Sequence, residues 1–313
     1  MGDRPWERWE RALLEYRYVV DLRDFAGRSE YGERWFSENL ASGDREETIH
    51  FEDRFRAGAS IAIEAWYEVI FWKMASQGRR DYITRQFITR LAQAHVQPGD
   101  LWETCLNYVS HPSAERFKRF QNLLCASESV GVAATFPAFI SPSKFPMVDT
   151  RVARWIAWAG ANHGFPSDSK VNATLDRYRH RSKPGVLTMR DWAFVEAFVR
   201  WCGELADVLN QAGSNPAGHP WRTRDVEMAV FRAWGDRQER RQAGAGGLMD
   251  LPPVSREYRL ASGPLTSTDF IVTNYAKPAK DAAWFTRKIA ELRTELDKLP
   301  PGQREQFLKT FKN

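Results

Sequence analysis

A chain of 313 residues that is 43% hydrophobic and 27% charged has the composition of a globular protein, with length for one large domain or a main domain and an appendage. No apolar run approaches the roughly 18 residues of a membrane span, and three cysteines, odd in number and far apart, argue against a disulfide framework and exclude a four-cysteine iron–sulfur cluster within one chain. The net charge of +5, the pI near 9.1 and thirteen tryptophans lean toward nucleic acid, because basic surfaces meet phosphates and indoles stack on bases.

The first residues, MGDRPWERWERALLEYRYVV, are charged and helical in period without an apolar core, so no signal peptide and a cytoplasmic protein are expected. Residues 52–76, EDRFRAGASIAIEAWYEVIFWKMAS, predict one long helix, apolar nearly all round and therefore central. Residues 113–125 predict a helix with Phe117, Phe120, Leu123 and Leu124 inward, followed by a turn of small residues, ASESVG, and a second short helix, VAATFPAFI. After SKFPM comes Val148-Asp149, and a new helix begins there with Val152, Trp155, Ile156 and Ala159 on one face.

Further on, Thr188 and Asp191 stand at capping-box spacing before a helix with two apolar faces. Trp192, Val195, Val199, Cys202, Ala206 and Leu209 make one, and Phe194, Phe198, Trp201, Leu205 and Val208 the other. Beyond residue 236 glycine, proline and charge replace periodicity, and the tail holds two helical stretches broken at Pro300 and Pro301. The expected organisation is all-α: a helical domain over 1–236, a linker or long loop over 237–265, and a basic helical extension over 266–313. The six histidines show no ligand spacing, and Walker, dinucleotide and serine-hydrolase signatures are missing, so neither metal nor cofactor is expected.

Asp149, directly before a helix, reads first as an N-cap, a role worth about 0.5–2 kcal/mol. Its context, VDTRVAR over residues 148–154, together with the upstream helix–turn–helix of about 113–142, resembles the helix-hairpin-helix family of DNA glycosylases. The resemblance covers roughly residues 113–160, and the family's glycine-x-glycine hairpin is present only as Ser129-Val130-Gly131. It implies that Asp149, on a helix over 149–162, is the catalytic carboxylate. It also implies that the hairpin, with Ser127, Ser129, Val130 and Gly131, docks on a DNA phosphate, flanked by Arg151 and Arg154. The chemistry suits a carboxylate there: breaking an N-glycosidic bond builds positive charge on the sugar, and a helix N-terminus keeps the nearby acid ionised.

Bifunctional members of that family carry a nucleophilic lysine early in the second hairpin helix, where this chain has Ala133 and Ala134. Lys118 and Lys144 lie on either side of that position. The resemblance therefore implies a monofunctional enzyme acting on double-stranded DNA with a modified base and leaving an abasic site; a monomer with no membrane partner is expected besides. For the base pocket, Glu64, Trp66 and Trp72 on one helix and Asp225 on another offer carboxylates and indoles for a flipped base. Prokaryotic antiviral members remove hypermodified phage bases such as α-glucosyl-hydroxymethylcytosine, and sugars suit indoles and carboxylates. A repair enzyme for oxidised or alkylated bases such as 8-oxoguanine is the alternative. A third reading is a non-catalytic helix-hairpin-helix DNA-binding protein in which Asp149 only caps.

Overall fold

The computed structural model describes residues 5–18, 43–74, 80–124, 130–159, 187–214 and 216–235, parts of 171–177, and the single positions 249 and 251. Every regular element among the described residues is helical, so the fold is all-α. Backbone proximity divides the chain into two units, Met1–Ala261 and Ser262–Asn313. The second unit, with the expected basic extension and its paired prolines, lies outside the described residues, as does nearly all of the expected linker.

Helix α1 spans Pro5–Leu14 and α2 spans Arg45–Gly58. The start of α2 is fixed by a capping box: Asp44 accepts from the Glu47 amide at 2.9 Å, and Glu47 accepts from the Asp44 amide at 3.2 Å. The single helix expected over 52–76 is instead two, because α2 ends at Gly58 and α3 runs Ile63–Met74. The chain reverses between them, leaving Ile61 79% exposed, and the Trp66 indole N–H ties the reversal by donating to the Ala59 carbonyl at 2.7 Å. Phe55 then meets Trp66 edge to face at 5.2 Å, which lets the two apolar faces bury each other. Helix α3 is buried from Trp66 to Met74, as its all-round apolar pattern predicts.

Helices α4 (Arg80–Gln93), α5 (Pro98–Ser110) and α6 (Ala114–Leu123) follow, with α4 packed on α3 and α6 on α5. Ser113 caps α6, its side chain accepting from the Arg116 amide at 3.2 Å, and Phe117, Phe120 and Leu124 are buried. Residues 125–129, the small-residue turn, lie outside the described residues. The second short helix is two pieces, α7 (Val130–Ala133) and α8 (Thr135–Ile140), and α8 packs against α2 and α5.

Helix α9 (Thr150–Ala159) turns Val152, Trp155, Ile156 and Ala159 inward, as expected, and leaves Trp158 40% exposed. The Thr188–Asp191 capping box is present and leads into α10 (Trp192–Gln211). The two expected faces of α10 are largely buried. Its indole Trp201 lies 6.3 Å from Trp9 of α1 and 6.2 Å from Trp155 of α9, so three tryptophans seal the junction of three helices. Helix α11 (Thr223–Trp234), ended by Gly235 at φ +69°, packs against α1, α9 and α10 and is buried along nearly its whole length.

This arrangement fixes the stretch 141–149 that leads to Asp149. From α11, the Thr223 hydroxyl donates to the Ser143 carbonyl at 2.6 Å and the Arg224 amide donates to the Pro142 carbonyl at 2.9 Å. Phe145, Met147 and Val148 are buried beneath it. On the other side α7 presses so closely that a Cβ on Gly131 would stand 3.1 Å from the Val148 carbonyl oxygen. Substituting Gly131→Val drives a branched side chain into that carbonyl, and chemical denaturation should show a loss of about 1–3 kcal/mol.

Candidate active site

Asp149 is the N-cap of α9: its backbone carbonyl accepts from the Ala153 amide at 3.0 Å, and Oδ1 accepts from the Arg151 amide at 2.8 Å and the Val152 amide at 3.0 Å. The other oxygen, Oδ2, faces the Nζ of Lys73 at 3.5 Å. Lys73 is buried on α3, and Nζ also meets the Met147 sulfur at 3.9 Å. Both side chains are mostly sheltered, Lys73 with 9% and Asp149 with 16% of its side-chain surface exposed.

Burial pushes the Asp149 carboxyl toward the neutral acid, but Lys73, the Val152 amide and Arg151 outweigh it and hold the pKa below 3.8. For Lys73 the balance falls the other way. Burial, helped by Arg224 and Arg151, overcomes the pull of Asp149 and lowers the amine below 10.5. The pair is thus an acid that stays ionised beside an amine that gives up its proton more readily than usual. Because the folded-state value of Asp149 is depressed, its contribution to stability is present above pH 3.8 and is lost as pH falls through the lowered value.

The expectation of a monofunctional enzyme rests on the hairpin helix, and Lys73 lies outside it. The hairpin helix carries no lysine, but α3 brings one to Asp149 from elsewhere in the chain. Around the pair, Arg151 lays its guanidinium 4.6 Å over the Phe231 ring, Phe231 stacks on Tyr18 at 5.9 Å, and Tyr18 stacks on Trp72 at 4.2 Å. The Tyr18 hydroxyl donates to the Lys73 carbonyl at 3.3 Å. This column immobilises the end of α3 that carries Lys73.

The hairpin donors differ from expectation. The Val130 amide is engaged by the Leu187 carbonyl at 3.0 Å and its side chain is buried, so it is not available to a phosphate. Gly131 serves the close approach to Val148 described above. Ser127 and Ser129 lie outside the described residues. Arg154 is exposed on α9, and Arg151 is half-buried beside Asp149.

The expected base pocket is not assembled. Trp66 and Trp72 are core indoles, Glu64 is exposed, and Asp225 lies in a buried ionic cluster. The neighbouring Glu68 is paired with Arg54 at 2.5 Å, and burial raises its carboxyl to about 7 against that pairing. Clefts open elsewhere among the described residues, and two of them differ in character. One, of about 490 Å³, lies between α5 and α6 with Glu103, Asn107, Arg116 and Arg119; the other, of about 380 Å³, lies beside Tyr108, Phe145 and Trp192. Neither contains a residue predicted for the site.

The ionic cluster joins α2 to α11. Asp225 takes a bidentate bond from Arg45, at 3.1 and 2.9 Å, and further bonds from Arg222 at 2.8 and 3.1 Å. Arg222 also donates to Glu52 at 2.9 Å, and Arg224 pairs with Glu52 at 3.4 Å and with Glu227. Three arginines thus balance three carboxylates, five of the six being fully or almost fully buried. Burial raises the Glu52 carboxyl, whereas for Asp225 the hydrogen bonds and charge of Arg222 and Arg45 overcome burial and lower it. Arg224 is the link to the site, since its charge acts on Lys73 while its backbone holds Pro142.

Among the described residues no three histidine, cysteine, aspartate or glutamate side chains come together as a metal site. No helix there is long and apolar enough to cross a membrane. Compared with family models, with curated proteins and with solved structures, the chain has no match in any of the three. The cluster yields a prediction that separates structure from base recognition. Asp225→Ala leaves Arg45 and part of Arg222 buried without a counter-charge and should cost about 3–5 kcal/mol of stability in urea titrations.

Proposed function

We propose that the chain is a DNA glycosylase in which Asp149 stabilises the sugar cation formed as a base departs. The observation that carries this reading is the division of the Asp149 carboxylate: one oxygen held by helix amides, the other facing an amine, on a side chain that is partly exposed. An anion fixed in this way needs no reorganisation when positive charge appears beside it, which is the condition for electrostatic stabilisation of a transition state. Water takes C1′ of the sugar as the glycosidic bond breaks, the electron pair leaves with the base, and an abasic site remains.

Arg151 and Arg154, on the first turns of α9, supply positive charge near Asp149 for the DNA backbone, and such contacts make affinity fall with salt. For the base we keep the hypermodified phage cytosine, such as α-glucosyl-hydroxymethylcytosine, that the family resemblance implies. The indole and carboxylate clusters once in its favour are structural here and add nothing to it. The cap geometry of Asp149 equally suits a DNA-binding protein without catalysis, and one substitution separates the two. In Asp149→Asn the cap persists through the amide oxygen while the anion is gone.

Mass spectrometry of molecules released from glucosylated phage DNA, from oligonucleotides bearing oxidised or alkylated bases, and from unmodified DNA should show release of the glucosylated base alone. Asp149→Asn should lose about 10²–10³-fold in turnover and keep DNA affinity. Release of a damaged base alone would replace the substrate, and unchanged turnover in Asp149→Asn would refute the role of the carboxylate.

A further inference from the structure

Beside Tyr108, Phe145 and Trp192 lies a cleft of about 380 Å³ to which the proposed chemistry gives no task, and its size suits a small molecule. Along α10, Trp192, Val195 and Val199 line it at helical spacing; Tyr108, near the end of α5, and Phe145 line it as well. The rings brace one another. Tyr108 meets Phe145 at 5.4 Å and Trp192 at 6.3 Å, and Trp192 leans on Phe117 at 4.9 Å. An apolar surface fixed in this way loses little freedom when a flat ring lies against it.

Three polar groups of the same cleft lack the partners their chemistry asks for. Tyr108 is only 3% exposed, yet its hydroxyl has no hydrogen-bond partner among the described residues. Burial, with Cys105 and Glu196 nearby, pushes that hydroxyl above its usual 10, so it remains a donor. Lys144 and Glu196 stand exposed on the rim. Neither side chain has an ion pair or a hydrogen bond among the described residues, so two opposite charges line one cleft without meeting each other. Both are carried on fixed backbone: the Lys144 amide donates to the Ser141 carbonyl at 2.9 Å, and Glu196 lies within α10. Arg200, one turn further along α10, is already engaged by Glu204 at 2.8 Å.

We propose that this cleft binds a free aromatic α-amino acid, with its carboxylate on Lys144, its ammonium on Glu196 and its ring against Tyr108 and Trp192. A neutral apolar molecule leaves both charges unmet, and a simple acid or amine meets one and faces its own sign in the other. A peptide end carries only one of the two charges, so the occupant is the free amino acid. The Tyr108 hydroxyl gives the carboxylate a further donor. This inference goes beyond the glycosylase reading and does not depend on it.

Isothermal titration of the full-length protein with L-phenylalanine and with L-tryptophan tests it. Saturable one-to-one binding is expected for at least one of them. The analogues of the tighter binder that lack the carboxylate (phenethylamine or tryptamine) or the amine (3-phenylpropionate or indole-3-propionate) should bind about tenfold more weakly, the effect of losing one charged hydrogen bond. L-Alanine, which keeps both charges and lacks the ring, should also bind more weakly. Substitution then assigns the charges. Because Lys144 and Glu196 are exposed, Lys144→Met and Glu196→Gln should keep the helical circular dichroism of the unsubstituted protein. Lys144→Met should bind the amino acid no better than the amine analogue, and Glu196→Gln no better than the acid analogue. Absence of binding by both amino acids at millimolar concentration, equal binding of an analogue with a single charge, or an affinity unmoved in either variant overturns the proposal.

Discussion

A carboxylate held between the first amides of a helix and a buried ammonium is the constraint on which this structure turns. Asp149 in its mostly sheltered position would drift toward the neutral acid under burial alone, and both the cap of α9 and the partner of Lys73 would weaken together. The α9 amides and Lys73 act on different oxygens, so neither displaces the other. The cap role and the proposed chemical role therefore draw on the same fixed anion. A residue that only ends a helix needs no amine facing its second oxygen, and Lys73 is what separates this aspartate from an ordinary N-cap.

The position of that anion depends on packing several residues away. The segment 141–149 has no helix of its own to hold it, and its Ser143 and Pro142 carbonyls are taken by Thr223 and Arg224 at the start of α11. The start of α11 is in turn fastened to α2 by Arg45, Asp225, Arg222 and Glu52. Buried ion pairs of this kind are poor sources of net stability, because desolvation offsets much of the attraction, but losing one member is costly. Their effect here is geometric: they fix where α11 begins, and with it the loop that delivers Asp149. Gly131 completes the arrangement from the other side, where its missing Cβ lets α7 come against Val148.

Much of this was legible in the amino-acid order. The apolar spacing in α9 and α10 and the Thr188–Asp191 capping box describe local events, and local events can be read from neighbouring residues. Asp149 was legible for the same reason, standing just before a helix with arginines after it. The break between α2 and α3 was missed because periodicity runs on through Gly58, whereas the reversal is held by the Trp66 indole bond to Ala59 and the pairing of Phe55 with Trp66. Lys73 was missed because its partner is a long way along the chain. The signal present was a single lysine between Trp72 and Met74 in an otherwise apolar stretch, a charge that burial obliges to find a counter-charge. The same reasoning applies to RTRDVE at residues 222–227. Asp225, expected in the base pocket, instead belongs to a set of charges that satisfy one another and α2 in the interior.

The claim that everything else rests on is the ionised, doubly held state of Asp149, and its side-chain carbon reports that state directly. Carbon-13 NMR of the carboxyl carbons, with Asp149 assigned by its loss in Asp149→Asn, follows the protonation of this one group. The account predicts no titration of Asp149 between pH 4 and pH 8, with its midpoint below the usual 3.8, and an upward shift of that midpoint in Lys73→Met. A midpoint above 4 in the unsubstituted protein, or one unmoved by Lys73→Met, would contradict it.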